Sequence, residues 1–176
     1  MRLKRKFFNR DTLIVAKELL GKYLVRKIGS KKIVVRITET EAYCGQKDLA
    51  CHASKGLTPR TKVMFGPPGH VYVYMIYGMY HCLNMVTEGE NYPAAVLIRG
   101  ACLIKKSKLK ILKGPGILCR ELKIDKKLNG VDITKSGDLW IEEGEQIKSF
   151  QIKKGKRIGV DYAGKWKDKL WRFWIL

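Results

Sequence analysis

The first periodic stretch of the chain is helical. Leu13, Ala16, Leu19 and Leu20 share one face, Asp11 can cap the start and Gly21 stops the run, which predicts a helix over 11–20. A strand over 22–28 follows, Gly29-Ser30-Lys31 turns the chain, and a second strand runs from Ile33 to Ala42. Residues 44–69 show neither a two-residue nor a helical period and hold Gly45, Gly56, Pro59, Gly66, Pro67, Pro68 and Gly69. An irregular segment of that length inside a domain is usually functional. Residues 70–77 and 79–86 read as two strands meeting near Gly78, and 94–104 as another. Gly114-Pro115-Gly116 opens a helix that runs to Leu122, with proline in its first turn. Strands near 139–142, 146–152 and 169–175 close the chain. Strands outnumber helices and most connections are short. The expected fold class is therefore α+β, a single mixed domain over residues 1–176 with a largely antiparallel sheet.

Composition narrows the function. The hydrophobic fraction of 45% and aromatic fraction of 10% exclude a disordered chain. No apolar run approaches the ~18 residues of a membrane-spanning helix. Met1-Arg2-Leu3-Lys4-Arg5-Lys6 is basic, but no apolar stretch with a cleavage site follows, so an intracellular protein without a secretory signal is expected. Lys and Arg number 36 against 16 Asp and Glu, a net charge of +20. Ordinary small domains carry about 2–8. Such an excess attracts polyanions, nucleic acid first among them, unless it only reflects a lysine-rich proteome. No basic amphipathic helix points to a membrane surface. The charge is also uneven. Residues 1–30 and 101–130 each hold nine basic and two acidic residues, whereas 61–100 hold only Lys62, Glu88, Glu90 and Arg99. Basic flanks around a nearly uncharged, tyrosine-rich centre suggest a charged rim around a stacking pocket, or else a plain core hairpin.

Five cysteines, Cys44, Cys51, Cys82, Cys102 and Cys119, form no CxxC, and His52 beside Cys51 is the only adjacent Cys-His pair. They read as reduced, mostly buried apolar residues and not as metal ligands. In Arg36–Tyr43, alternation puts Glu39, Glu41 and Tyr43 on one face and Thr38, Thr40 and Ala42 on the other. A carboxylate at a strand end beside an aromatic is a candidate general base; the plainer alternative is an exposed acidic edge. In His70–Asn84, Tyr72 and Tyr74 share a face and Tyr77 falls just before the turn at Gly78. Aromatics at a hairpin tip of a basic protein can stack on bases or push between them, unless they belong to a tyrosine-rich core.

Longer blocks add to this. They include Ala16-Lys17-Glu18-Leu19-Leu20-Gly21-Lys22, Glu39-Thr40-Glu41-Ala42-Tyr43, Cys51-His52-Ala53, Thr58-Pro59-Arg60-Thr61 and Met64-Phe65-Gly66-Pro67-Pro68-Gly69. Tyr72-Val73-Tyr74, Tyr77-Gly78-Met79-Tyr80 and Asn84 follow, then Arg99, Gly114-Pro115-Gly116-Ile117-Leu118-Cys119, Arg157-Ile158-Gly159-Val160 and Ala163-Gly164. In this order and spacing, from about residue 8 to 175, the chain resembles the alkyladenine (3-methyladenine) DNA glycosylases, in their compact bacterial pattern.

The resemblance implies a fold like the C-terminal domain of methionyl-tRNA formyltransferase. Glu41 matches the general base, and Arg99 the arginine that helps hold that base and its water. Tyr43, His52 and Tyr74 match the walls around a flipped base, with the backbone near His52 as a donor to the base edge. Asn84 matches the residue that crowds the exocyclic amine of normal guanine. Tyr77, with Met79 beside it, matches the side chain that fills the gap in the duplex. A main-chain carbonyl near Val160 also reaches the water. Arg60, Lys62 and the Lys-rich 101–127 stretch are expected on the DNA backbone. Cys44 and Lys47 fall in a loop that varies in the family, and His81 departs from the usual apolar or aromatic residue.

The implied activity is flipping of damaged purines out of double-stranded DNA and hydrolysis of the N-glycosidic bond. The substrates belong to the 3-methyladenine, 7-methylguanine, hypoxanthine and ethenoadenine class. No metal or organic cofactor is implied. A lyase step needs an amine nucleophile, and no lysine lies in Glu39–Tyr43 or Tyr72–Asn84, so a monofunctional enzyme is expected. A monomer in the cytoplasm, associated with the nucleoid through DNA, completes the expectation. The rival readings are a non-catalytic basic nucleic-acid-binding module of the same fold and a structural or ribosome-associated protein.

Overall fold

Two short helices lead into the sheet. The computed structural model of the protein describes residues 1–105 and 108–175; within the Lys-rich 101–127 stretch, Lys106 and Ser107 lie outside the described residues. A single turn, α1 (Arg5–Phe8), precedes α2 (Thr12–Glu18). α2 is the expected helix, ending slightly early. The Asp11 carboxylate accepts the Ile14 N–H at 3.0 Å, and Gly21 at φ +82° turns the chain away.

The sheet is built from antiparallel pairs. β1 (Tyr23–Ile28) and β2 (Lys31–Cys44) form a hairpin through Gly29, and β3 (Val71–Ile76) and β4 (Tyr80–Thr87) form another. β5 (Ala94–Lys105), β6 (Lys108–Lys113), β7 (Leu139–Glu142), β8 (Lys153–Gly155) and β9 (Arg172–Trp174) complete it. The order is β3-β4-β5-β2-β1-β7, with β6 continuing along β5 and the β8–β9 pair flanking β2. With α3 (Pro115–Glu121) and several single 3-10 turns, the molecule is an α+β domain with a largely antiparallel sheet.

The elements expected from the sequence are mostly present. Beyond Cys44, which ends β2, the segment 44–69 contains no strand, only 3-10 turns at His52–Lys55 and Lys62–Phe65. The expected strand at 146–152 is absent. Ser149–Gln151 is a 3-10 turn with Phe150 80% exposed, and pairing starts only at Lys153. The segment 169–175 pairs only over Arg172–Trp174. β6 was not expected, because three lysines in six residues are unfavourable in an isolated strand. The long β5 supplies its ladder, from Gly100↔Lys113 to Lys105↔Lys108.

Strand alternation divides the interior in two. Val71, Val73, Leu83, Met85 and Ile98 face the main core, where they meet residues of α2 and α3 such as Val15, Ala16 and Leu118. Tyr72, Val86 and Ala95 join Cys51, Ala53 and Met64 from the irregular segment in a second, smaller cluster. One irregularity positions the site. Between β2 and β5 the register jumps from Ile37↔Ala101 to Glu39↔Gly100 and then to Thr40↔Ile98. Thr38 on β2 and Arg99 on β5 are therefore the extra residues of adjacent bulges, devices that re-aim side chains.

Candidate active site

Glu41 lies inside the sheet. It pairs with Leu97 of β5 on one side and Arg172 of β9 on the other, and is 0% exposed. It is thus neither at a strand end nor on an acidic edge. One carboxylate oxygen accepts the Tyr43 hydroxyl at 2.8 Å; the other accepts the Ile158 N–H at 2.9 Å and lies 3.7 Å from an Arg99 nitrogen. Burial raises the Glu41 pKa; Arg99, the Ile158 N–H and the Tyr43 hydroxyl oppose that rise, and Glu39 adds to it. Arg99 also meets Glu39, its Nε 3.3 Å away, and Arg172 holds the same Glu39 oxygen at 3.1 Å. A charge chain Arg172–Glu39–Arg99–Glu41 thus runs across three strands, made possible by the bulge at Arg99.

A cavity of about 630 Å³ opens beside this chain. Tyr43, His52, Tyr74, Tyr77, Asn84 and Arg99 all line it, so six of the expected site residues converge. Glu41 is not on its surface; the carboxylate stands behind Tyr43, Arg99 and Ile158, which are. His52 Nδ1 is 2.9 Å from the Tyr72 hydroxyl, and its ring meets Tyr74 edge-on with centroids 4.5 Å apart. Burial lowers the His52 pKa to about 4, with Arg60 and Lys55 adding to it, so the ring is neutral near pH 7. Burial raises the pKa of Tyr43 and Tyr74, so both stay phenols. Asn84 donates to the Tyr72 carbonyl at 3.1 Å, which fixes its amide at the cavity.

Tyr77 is 86% exposed and Met79 67%, so neither belongs to a tyrosine-rich core. Tyr77 and Gly78 have φ of +50° and +67°, the two positive values of a type I′ hairpin turn, and the turn closes with Met79 N–H donating to the Ile76 carbonyl. Met79, Arg60 and Lys62 do not line the cavity. Arg60, expected on the DNA backbone, has its guanidinium 5.3 Å from the Tyr74 ring centroid.

The family model for methylpurine-DNA glycosylases matches residues 6–176. The chain belongs to the methylpurine-DNA glycosylase family. Its relatives include a Legionella pneumophila (strain Lens) protein that is 54% identical over 99% of this chain and 94% of its own. A Methanocella arvoryzae protein is 50% identical over 98% and 91%, and a Clostridium perfringens protein 46% identical over 99% and 96%. All three carry the name "Putative 3-methyladenine DNA glycosylase". As a family member the chain is a DNA glycosylase, a hydrolase whose substrate is DNA.

This glycosylase domain also uses residues that sequence reading passed over. Asp48 and Arg157 form a fully buried pair, with Arg157 Nη2 2.9 Å from Asp48 Oδ1. Asp48 also accepts the N–H groups of Cys44 and Ala50, while Arg157 donates to the carbonyls of Ala42 and Trp166. The pair ties the start of the irregular segment to the C-terminal loop that presents the Ile158 N–H. Separated by 109 residues, its members carry no local pattern. Tyr72, expected only as one of the hairpin's stacking aromatics, contacts His52 Nδ1 through its hydroxyl, and the Ile158 N–H had no expected role. Among the described residues no helix is long and apolar enough to cross a membrane, and no three His, Cys, Asp or Glu side chains cluster as metal ligands. The cysteines are free thiols; burial pushes the pKa of Cys51 up to about 12.

Proposed function

We propose that this glycosylase removes alkylated and deaminated purines, of the 3-methyladenine, 7-methylguanine, hypoxanthine and ethenoadenine class, by hydrolysis with water activated by Glu41. The observation that carries the reading is the environment of that carboxylate. It is buried, held in one orientation by Tyr43 and the Ile158 N–H, and set behind the wall of a tyrosine-lined cavity. A purine inside a duplex is out of reach, so the nucleotide must swing into the cavity. There Tyr43, His52 and Tyr74 offer aromatic faces and Asn84 a fixed polar edge.

Water entering between Arg99, Tyr43 and Ile158 passes a proton to Glu41 as its oxygen bonds to C1′. The C1′–N bond breaks and its electron pair leaves with the base. Positive charge gathers on the sugar as that bond lengthens, and the carboxylate stabilises it. The nucleophile is water, which makes the enzyme monofunctional. Tyr77, exposed at the hairpin tip with Met79 beside it, fills the space left in the duplex. The basic flanks bind phosphates, and the protein acts as a monomer at the nucleoid, DNA supplying the partner surface.

The test is release of free base from duplexes that carry one lesion each, with single-turnover rates for the wild type and Glu41→Gln. Release by the wild type, lost in the variant while duplex binding persists, supports the reading. Lesion binding without release would instead leave a non-catalytic module, and a borohydride-trapped adduct would overturn the monofunctional assignment.

A further inference from the structure

Two cavity tyrosines each carry an arginine against the ring. The Arg157 guanidinium lies 4.9 Å from the Tyr43 centroid, and that of Arg60 5.3 Å from the Tyr74 centroid. Neither arginine lines the cavity, although each sits over the ring of a tyrosine that does. The two differ in how their charge is met. Arg157 is buried against Asp48. Arg60 is exposed, and among the described residues it has no ion-pair contact with any Asp or Glu. It also opposes the burial-driven rise of the Tyr72 pKa and helps to keep His52 neutral. One uncompensated positive charge therefore acts on three neighbouring lining residues, Tyr72, Tyr74 and His52.

We propose that Arg60 is a specificity residue: acting through Tyr74, it disfavours cationic N-alkylated purines relative to neutral damaged purines such as hypoxanthine. The inference rests on the base-excision reading and deepens it. An aromatic ring attracts a cation through its negative quadrupole, and a cation already seated over that ring weakens the attraction. The two charges also repel directly. A base stacked about 3.5–4 Å from the ring would sit within a Debye length, about 8–10 Å at ordinary ionic strength, of the guanidinium. The selectivity is chemically sensible. Alkylation that makes a purine cationic also makes it a good leaving group, whereas a neutral purine leaves reluctantly and gains more from a slot that holds it well.

The test compares duplexes that differ at one position, 7-methylguanine or hypoxanthine, each opposite cytosine. The proteins are the wild type, Arg60→Met, which keeps an apolar stem without charge, and Arg60→Lys, which keeps the charge. Affinity is read in the Glu41→Gln background and base release with Glu41 intact, each as a ratio between the two duplexes, so a general loss of DNA affinity cancels. Arg60→Met is expected to shift both ratios toward 7-methylguanine by about 2- to 5-fold. Arg60→Lys should stay near the wild-type ratio, and the shift should shrink as salt rises. Equal losses on both duplexes would make Arg60 a phosphate contact and overturn the proposal, as would unmoved ratios or Arg60→Lys behaving like Arg60→Met. If the wild type releases neither base, the base-excision reading falls, while the affinity ratios still decide the role of Arg60.

Discussion

Glu41 and Tyr77 mark two regions built on opposite terms. Glu41 sits in the longest strand, paired on both sides and held by a hydroxyl, an amide N–H and an arginine, all from this chain. Tyr77 sits at a hairpin tip with most of its ring in solvent and a backbone in the left-handed region. The first region keeps a buried carboxylate that costs stability. The second keeps an exposed aromatic that contributes little to it. Under the function proposed above, a polar group is preorganised where chemistry is to occur, and an apolar one is left unpartnered where DNA is to supply the contact.

The sharpest way to break the comparison is Glu41→Gln. Loss of a general base costs about 10²–10⁴ in rate, so single-turnover release should fall by that much. Stability should move the other way. Burial raises the Glu41 pKa in the folded state, so the protonated form's contribution is present below the ordinary carboxylate value and lost as pH rises through the folded value. The amide cannot ionise. The variant should therefore melt above the wild type at neutral pH, and the two should converge in acid. The acid limb of the wild-type rate profile should lie above the ordinary carboxylate range. A variant that melts lower at neutral pH would show that the carboxylate's hydrogen bonds outweigh its desolvation.

Asp48→Asn tests whether the first region depends on a distant pair. It leaves the buried Arg157 charge without a counter-ion, which typically costs about 3–5 kcal/mol. Urea unfolding at neutral pH should register that loss. A change well under 1 kcal/mol would mean that the carbonyls of Ala42 and Trp166 suffice for Arg157.

Tyr77→Ser should do the reverse. Base–aromatic stacking contributes roughly 1–3 kcal/mol, so lesion binding and excision should fall about 5- to 150-fold. Unfolding free energy should change by less than about 0.5 kcal/mol, as for other surface positions. The loss should be greatest for stably paired lesions and least for mismatched ones, which flip more cheaply. A large drop in stability with normal excision per folded molecule would place the ring in the fold.

The smallest effect concerns His52. Its pKa is lowered to about 4, so its stabilising contribution is present above the ordinary value of 6.5 and lost as pH falls through about 4. Imidazole proton shifts followed by NMR should show no titration between pH 6 and 8, and lesion affinity should show no step there from this group. Titration near 6.5 would mean that the cavity is wetter than its packing indicates.

The second hairpin was legible in the chain because its information is local. Tyr72 and Tyr74 alternate with Val71 and Val73, and Gly78 supplies the conformational freedom of the turn, so strands, faces and tip follow from neighbours in sequence. The helix after Asp11 and the one after Gly114 were legible for the same reason. The convergence of Tyr43, His52, Tyr74, Asn84 and Arg99 on one cavity was not local and was expected only from the family resemblance. Three features needed the folded chain. β6 exists because β5 is long enough to template a lysine-rich strand. The Asp48–Arg157 pair exists because residues 109 positions apart are buried together, where opposite charges must meet. Above all, Glu41 reads as a strand-end carboxylate in sequence but as a central, buried one in the structure, because β9 returns from the far end of the chain to cover its strand. Local pattern determines which way a side chain points along its own strand. What lies on either side, and hence whether a charge meets water or a partner, is settled only by non-local pairing, whose loop-closure entropy is offset when the whole sheet forms.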